Sequence, residues 1–308
     1  MAGPAFRAAA VRVRVPATSA NLGPGFDALG LSLGLYDDVV VRVADSGLHI
    51  DIAGEGSETL PRDESHLLVR SLRTAFDLLG GQPRGLEIVC ANRIPHGRGL
   101  GSSSAAICAG IVAARAVTTG GDARLDDEAL LELATEIEGH PDNVAACLLG
   151  GFTLAWMDGG AARAIRMDPA RSVVPVVFVP GRPVLTETAR GLLPRTVPHV
   201  DAALNAGRAA LLVEALTRRP SCCWPPPRTA STRSTGPPRC PRASSWCTGC
   251  APTACPRSSP ARAPRCSRWR RRDPPTRWPV WRARAGPRTG SPSTPRAPPC
   301  CRWPRNRM

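Results

Sequence analysis

Three glycines, Gly97, Gly99 and Gly101, lead directly into three serines, Ser102, Ser103 and Ser104, within Pro95-His96-Gly97-Arg98-Gly99-Leu100-Gly101-Ser102-Ser103-Ser104-Ala105-Ala106. Glycines remove Cβ atoms, so backbone N–H groups can crowd a polyphosphate. A helix opening at Ser102 would aim its free N–H groups and positive dipole end at the same anion. The serine hydroxyls could bond phosphate oxygens or a Mg²⁺ ion. Taken alone, the stretch reads equally as a Gly-rich turn with serine caps. A second segment, Pro16 to Asp27 (PATSANLGPGFD), sets Ser19, Asn21 and Asp27 on a loop pinned by Gly23, Pro24 and Gly25. An amide and a carboxylate on a rigid loop suit an amino or hydroxyl group; the bland alternative is a turn with an Asx motif. The third, Glu136 to Asn143 (EIEGHPDN), sets two acids close to His140. That pattern suits a metal or acid–base site, or a helix C-terminus capped at Gly139. No second His lies at ligand spacing, which argues against zinc.

The elements that must carry these segments follow from hydrophobic periodicity. Val11 to Val15 alternates as a half-buried strand that Pro16 should end, leaving residues 17–30 as loop. Residues 38–44, 48–52 and 85–90 read as further strands. Asp63 or Ser65 should cap a helix with Leu67, Leu68, Leu72, Phe76 and Leu79 on its apolar face, closed by Gly80-Gly81. Helices are expected over 102–118 and 126–138, then a strand from Gly150 to Trp156. Val173 to Pro180 opens a second unit, with helices over 186–193 and 201–216. Strands and helices in irregular alternation indicate an α+β fold, with helices on one side of a largely antiparallel sheet.

All 40 basic side chains are arginine. The lack of lysine excludes a Walker A loop, a protein-kinase strand lysine and a pyridoxal Schiff base. No signal-peptide-like or membrane-spanning run occurs. Cys90, Cys108 and Cys147 sit in apolar contexts and read as reduced core cysteines, so a cytoplasmic location is expected.

In this order, the three segments resemble the homoserine kinases of the GHMP kinase superfamily, over about residues 11–219. The GLGSSSAA loop is shared across the superfamily; NLGPGFD and EGHPDN are close to specific. The resemblance implies a two-domain fold: a ribosomal S5 domain 2-like N-terminal ATP-binding domain over 1–160, and part of a ferredoxin-like C-terminal domain over 161–220. It implies transfer of the ATP γ-phosphoryl group to the hydroxyl of L-homoserine, in threonine biosynthesis. Pro95 through Ser104 would wrap the ATP phosphates. Ser103 and Glu138 would hold Mg²⁺, with Glu136 the alternative, and Asn143 would support the phosphate side. Asn21, Asp27 and His140 would contact homoserine, Asp27 through the ammonium group. Thr186 and Arg190 match a Thr-x-x-x-Arg pattern whose Arg binds the substrate carboxylate bidentately. His66 departs from the family, which usually has Asn near the adenine. A homodimer is implied, and neither a nucleic-acid nor a membrane partner. A neighbouring GHMP kinase acting on mevalonate or a related substrate is the enzyme alternative; a non-catalytic remnant of the fold is the other.

The resemblance stops near Pro220. Residues 1–220 hold 21 Arg and 24 acidic residues, whereas 221–308 hold 19 Arg and one acid, Asp273. The tail also has 9 of the 12 cysteines, 6 of the 7 tryptophans and no Leu, Ile or Phe. Without branched aliphatics to bury, it should not fold. The family's third Gly-rich segment, resembling SGAGPT, is absent as written. Joining each codon's wobble base to the first two bases of the next recovers it. Ser258 to Trp269 then reads Ile-Ser-Gly-Ala-Gly-Pro-Thr-Val-Leu-Ala-Leu. The tail is therefore expected to be a frameshifted translation, and the chain as written to lack the end of its second domain and to be poorly folded or inactive. The rival readings are an Arg/Trp-rich nucleic-acid-binding tail and a zinc site at Cys247, Cys250 and Cys255, which lacks a second matched pair.

Overall fold

The computed structural model describes residues 3–181 and 193–220. Thr186, Arg190, the helix expected at 186–193 (apart from Leu193) and the whole 221–308 tail lie outside the described residues. Six strands form one sheet: β1 (Val11–Ala20), β2 (Leu29–Ala44), β3 (Gly47–Gly54), β4 (Gly85–Asn92), β5 (Phe152–Asp158) and β6 (Ala161–Met167). The helices are α1 (Leu67–Leu78), α2 (Ser102–Val117), α3 (Gly121–Arg124), α4 (Asp127–Glu138), α5 (Pro141–Leu149) and α6 (His199–Thr217). Long β2 is the spine. It pairs with β1 along one edge; along the other it pairs with β4 through residues 38–44 and with β5 through residues 29–31. All pairings are antiparallel except β3 with β4.

The expected α+β architecture is observed. Val13, Val15, Val39, Val41, Leu86 and Ile88 face the helices and are buried, while Arg12, Arg14 and Arg42 alternate onto the open face. α2 runs through the core with buried residues on nearly every side. α1 approaches it at Gly110, where a Cβ would come within 2.6 Å of the Leu68 carbonyl oxygen. Phe76, Leu72 and Leu79 complete that interface, all fully buried.

Several boundaries differ from the sequence expectation, each for a physical reason. β1 does not end at Pro16 but continues to Ala20 through a register shift between Pro16 and Thr18. It pairs with β2 alone, so a residue without an N–H is tolerated on an edge at an irregularity. β2 begins at Leu29, well before residue 38: Gly30 breaks the apolar pattern yet pairs with Ala20 and Thr153, whereas Gly34 falls opposite the β1 irregularity, where pairing lapses between Ser32 and Tyr36. Gly30 is needed there, since a Cβ would lie 2.4 Å from the Asp142 carbonyl oxygen. α1 is capped by His66, whose Nδ1 accepts from the Leu68 amide at 3.2 Å; Asp63 instead accepts from Ser65.

On the open face Asp38 collects Arg14 at 2.9 Å, Arg12 at 3.0 Å and Arg93 at 3.0 Å. The hydrogen bond from Arg14 is the chief cause of its lowered pKa, and Arg12 and Arg93 add to it. A carboxylate held below its unfolded value stabilises the fold above that value and loses the contribution as pH falls through its folded pKa. Asp38→Asn should cost about 1–3 kcal/mol at pH 7. Its stability should also fall less steeply than wild type below about pH 4, as read from urea denaturation across pH.

Candidate active site

The Gly-rich loop leaves β4 and is fixed before it begins. Buried Asp37 on β2 accepts from the Arg93 amide at 2.6 Å and the Ile94 amide at 2.9 Å through Oδ1. Burial pushes its pKa up, and those two N–H bonds pull against that rise. Gly97, Gly99 and Gly101 then take φ of +64°, +73° and +67°, a region that favours glycine. The loop closes on the edge of β1, where the Thr18 amide donates to the Leu100 carbonyl at 3.0 Å. Gly101 is the N-cap of α2 and offers no side-chain acceptor to the first-turn N–H groups. Those donors and the helix dipole therefore point into the space in front of the loop.

Two further segments converge on this point. Thr18, fully buried, donates its hydroxyl to Asn143 Oδ1 at 2.8 Å. A Cβ on Gly101 would sit 2.0 Å from Thr18 Oγ1 and 3.1 Å from Asn143 Oδ1. Glu138, the last residue of α4, accepts from Ser103 Oγ and Ser104 Oγ at 2.7 Å each, both on Oε1. Gly139, at φ +89°, ends α4 and lets the chain turn into α5. Glu136 is exposed on the same helix. Of the two acids left open by the sequence, Glu138 is the one hydrogen-bonded to the serines of the loop.

The Pro16–Asp27 segment closes onto itself beside α5. Asn21 Oδ1 accepts from the Asp27 amide at 3.0 Å. Asn21, Leu22 and Asp27 all have positive φ, at +65°, +45° and +56°. Three strained non-glycine residues in one loop are the pattern of a site held by its surroundings. Asn205 of α6 is one such support, donating to the Pro24 carbonyl at 3.0 Å. His140 Nδ1 lies 2.6 Å from Oδ1 of fully buried Asp142. The Asn143 amide also donates to Asp142 Oδ1, at 2.8 Å, and Asp142 Oδ2 is buried without a hydrogen-bond partner among the described residues. One ligand atom each from Asp27, His140 and Asp142 lie within 4.8 Å of one another. Two carboxylates at that spacing suit a cation.

Between sheet and α2, next to Ser102 and Ser103, lies a cavity of about 200 Å³ whose walls include Val39, Leu68 and Ala109. Of the segment Pro95, His96, Gly97, Arg98, Gly99 and Leu100, His96 lines it. The Arg98 guanidinium donates to the Pro180 carbonyl. An anion-binding helix start beside a largely apolar slot is the shape a nucleotide fills.

Comparison with known proteins agrees with this geometry. A GHMP kinase N-terminal domain matches residues 66–151. The homoserine kinase of Streptomyces avermitilis is 92% identical over 225 residues, covering 73% of this chain and 74% of that one. That of Streptomyces coelicolor is 91% identical, over 73% of each chain. The chain belongs to the homoserine kinase family. A solved homoserine kinase from Cytophaga hutchinsonii superimposes with a TM-score of 0.58 at 29% identity, over 70% of each chain.

Within this homoserine kinase fold, sequence reasoning did not single out Thr18, Asp37 or Asp142. Thr18 and Asp142 lay inside quoted motifs, among flashier neighbours. Asp37 gave a usable signal: an acid at the head of an apolar strand must find donors if it is buried. Two glycine substitutions separate conformation from contact. Gly99→Ala, with open space around its Cβ, should cost only about 1–2 kcal/mol for its positive φ. Gly101→Ala should cost about 2–4 kcal/mol, because its Cβ also strikes Thr18. Urea denaturation of both variants measures the difference.

Proposed function

We propose that this chain is built to transfer the γ-phosphoryl group of ATP to the side-chain hydroxyl of L-homoserine, giving O-phospho-L-homoserine for threonine biosynthesis. The observation that carries the reading is the convergence of the glycine loop, Glu138 and the Thr18–Asn143 pair on the N-terminus of α2. In this reading the Gly97–Ser104 backbone wraps the phosphates. Ser103 and Glu138 fit Mg²⁺, since both offer hard oxygens and already meet at 2.7 Å. When bound, the ion neutralises polyphosphate charge. Asn143, held by Thr18, supports the phosphate side. Asp27 takes the homoserine ammonium, with Asn21 and His140 beside it; Thr186 and Arg190 are assigned the substrate's other end. Such transfer has a loose transition state, so positioning and charge neutralisation supply most of the rate.

The proposal includes a nucleotide-binding unit over 1–160 and a partial second unit over 161–220, with the β5–β6 hairpin straddling the boundary, and a homodimer acting in the cytoplasm. Among the described residues no helix is long and apolar enough to cross a membrane. It also includes loss of the native reading frame near codon 220. Ten of the seventeen exposed large apolar side chains among the described residues fall between 174 and 211, Phe178 at 89% exposure. The 221–308 segment offers no Leu, Ile or Phe to cover them, whereas the shifted frame restores both aliphatics and the third glycine segment. Leaving that surface uncovered forgoes part of a marginal stability of about 5–15 kcal/mol.

The decisive assay is ATP-dependent phosphorylation of L-homoserine by the 308-residue chain and by a frame-restored version. Turnover is expected only in the restored protein. Full activity in the chain as given would overturn the frameshift; activity in neither would send the assignment to another GHMP substrate. In the restored protein, Glu138→Gln should lower kcat/KM by about 100-fold or more and raise the Mg²⁺ concentration needed for half-maximal rate.

A further inference from the structure

The face of the sheet turned away from the helices changes in charge from one edge to the other. Arg12 on β1, Val40 on β2, Val89 on β4 and Asp51 on β3 lie side by side across four strands. Strand alternation sets all four on the open side, because Val13, Val39, Ile88 and Ile50 are buried on the other. Arg12 and Asp51 are exposed, and Val89 is 48% exposed. That row reads positive, apolar, apolar, negative. In the next row along the strands, Arg42 on β2 stands beside Glu87 on β4, again positive then negative. The two ends are unevenly satisfied. Asp38 is one carboxylate shared by Arg12, Arg14 and Arg93, which leaves the β1 side with surplus positive charge. Asp51, on the β3 side, makes no ion pair among the described residues.

We propose that this face binds a second copy of the chain, the two sheets meeting about a twofold axis that runs along the strands between β2 and β4. This places the homodimer of the reading above, on which it rests. Rotation about that axis exchanges β1 with β3 and β2 with β4, and sets each row opposite itself. Arg12 then faces the partner's Asp51, Val40 faces the partner's Val89, and Arg42 faces the partner's Glu87. Every contact occurs twice, as an isologous interface requires. The valines form an apolar centre and the charges form a rim, the usual anatomy of such a surface. A twofold axis across the strands would instead set Arg12 against the partner's Arg12, a like-charge contact that is repelled. Charge therefore selects one of the two face-to-face arrangements.

Sedimentation velocity of the 308-residue chain and of its frame-restored version is the test, since β1 to β4 are common to both. The wild type should sediment as a dimer at micromolar concentration. Arg12→Glu and Asp51→Arg each set like charges together twice per dimer, and each should weaken self-association about 30-fold or more. Asp38 keeps Arg14 and Arg93 in the first variant, so both should retain the wild-type circular dichroism spectrum. Mixed in equal amounts, the two variants should pair with each other, because each substituted side chain then meets an opposite charge. Single variants that dimerise like wild type, or a mixture that stays monomeric, would overturn this face and leave the homodimer at another surface. A wild-type monomer in the restored chain, its face left to solvent or to the restored segment, would overturn the homodimer and this proposal together. Homoserine turnover, measured in each variant, reports on the kinase reading separately.

Discussion

The site depends on a missing carbon atom at Gly101. The fully buried hydroxyl of Thr18 and the amide of Asn143 meet at 2.8 Å, and Gly101 passes so close that a Cβ would lie 2.0 Å from that hydroxyl. Three elements far apart in sequence are locked here: edge strand β1, the Gly-rich loop, and the first turn of α5. The backbone bond from Thr18 to Leu100 adds a second tie on the same residue. A larger residue would push the loop off β1 and move the α2 N-terminus, and with it the free N–H donors of its first turn.

Around that junction, charge is placed where it can be satisfied at once. Asp37 and Asp38 are adjacent on β2 and point to opposite faces, as strand alternation requires. The inner carboxylate is desolvated and takes two backbone amides, which fixes the entry to the loop. The outer one gathers three arginines and ties β1, β2 and the β4 exit together across the open face. Glu138 follows the same logic at the helix end. Its carboxylate takes the hydroxyls of both Ser103 and Ser104 at 2.7 Å.

Much of this was legible in the sequence where chemistry is local. The glycines of the loop, the α2 start and the Gly139 cap follow from backbone rules that act within a few residues. The apolar face of α1 was also legible, although its cap was not: His66 is rarely read as a capping residue, and here a ring nitrogen does what a hydroxyl usually does. Pairings set by distant partners could not be read. Pro16 looked like a strand end because its tolerance depends on β1 having an edge. The first half of β2 looked like loop because Gly30 makes sense only against the Asp142 carbonyl. α5 was missed since Pro141 follows a polar run, yet proline at the first helical position is favourable. The choice between Glu136 and Glu138 turns on helical phase relative to another helix, which spacing alone does not give.

The two parts of the described chain are unequal, and the site is sensitive to that inequality. The core of sheet and helices α1 to α5 buries its large side chains almost completely, whereas the described apolar residues of 174–181 and 193–211 remain largely on the surface. Yet both functional loops borrow a bond from the less covered part: Arg98 from the Pro180 carbonyl, and Pro24 from Asn205 on α6. The strained Asn21–Asp27 loop has most to lose, because positive φ at three non-glycine residues persists only while neighbours over-determine it. Loss of cover over the described residues of this part therefore bears directly on the Asn21–Asp27 loop, through the bond from Asn205 to Pro24. A chain can keep all three motifs, and a well-packed first unit, and still hold its acceptor side too loosely to act.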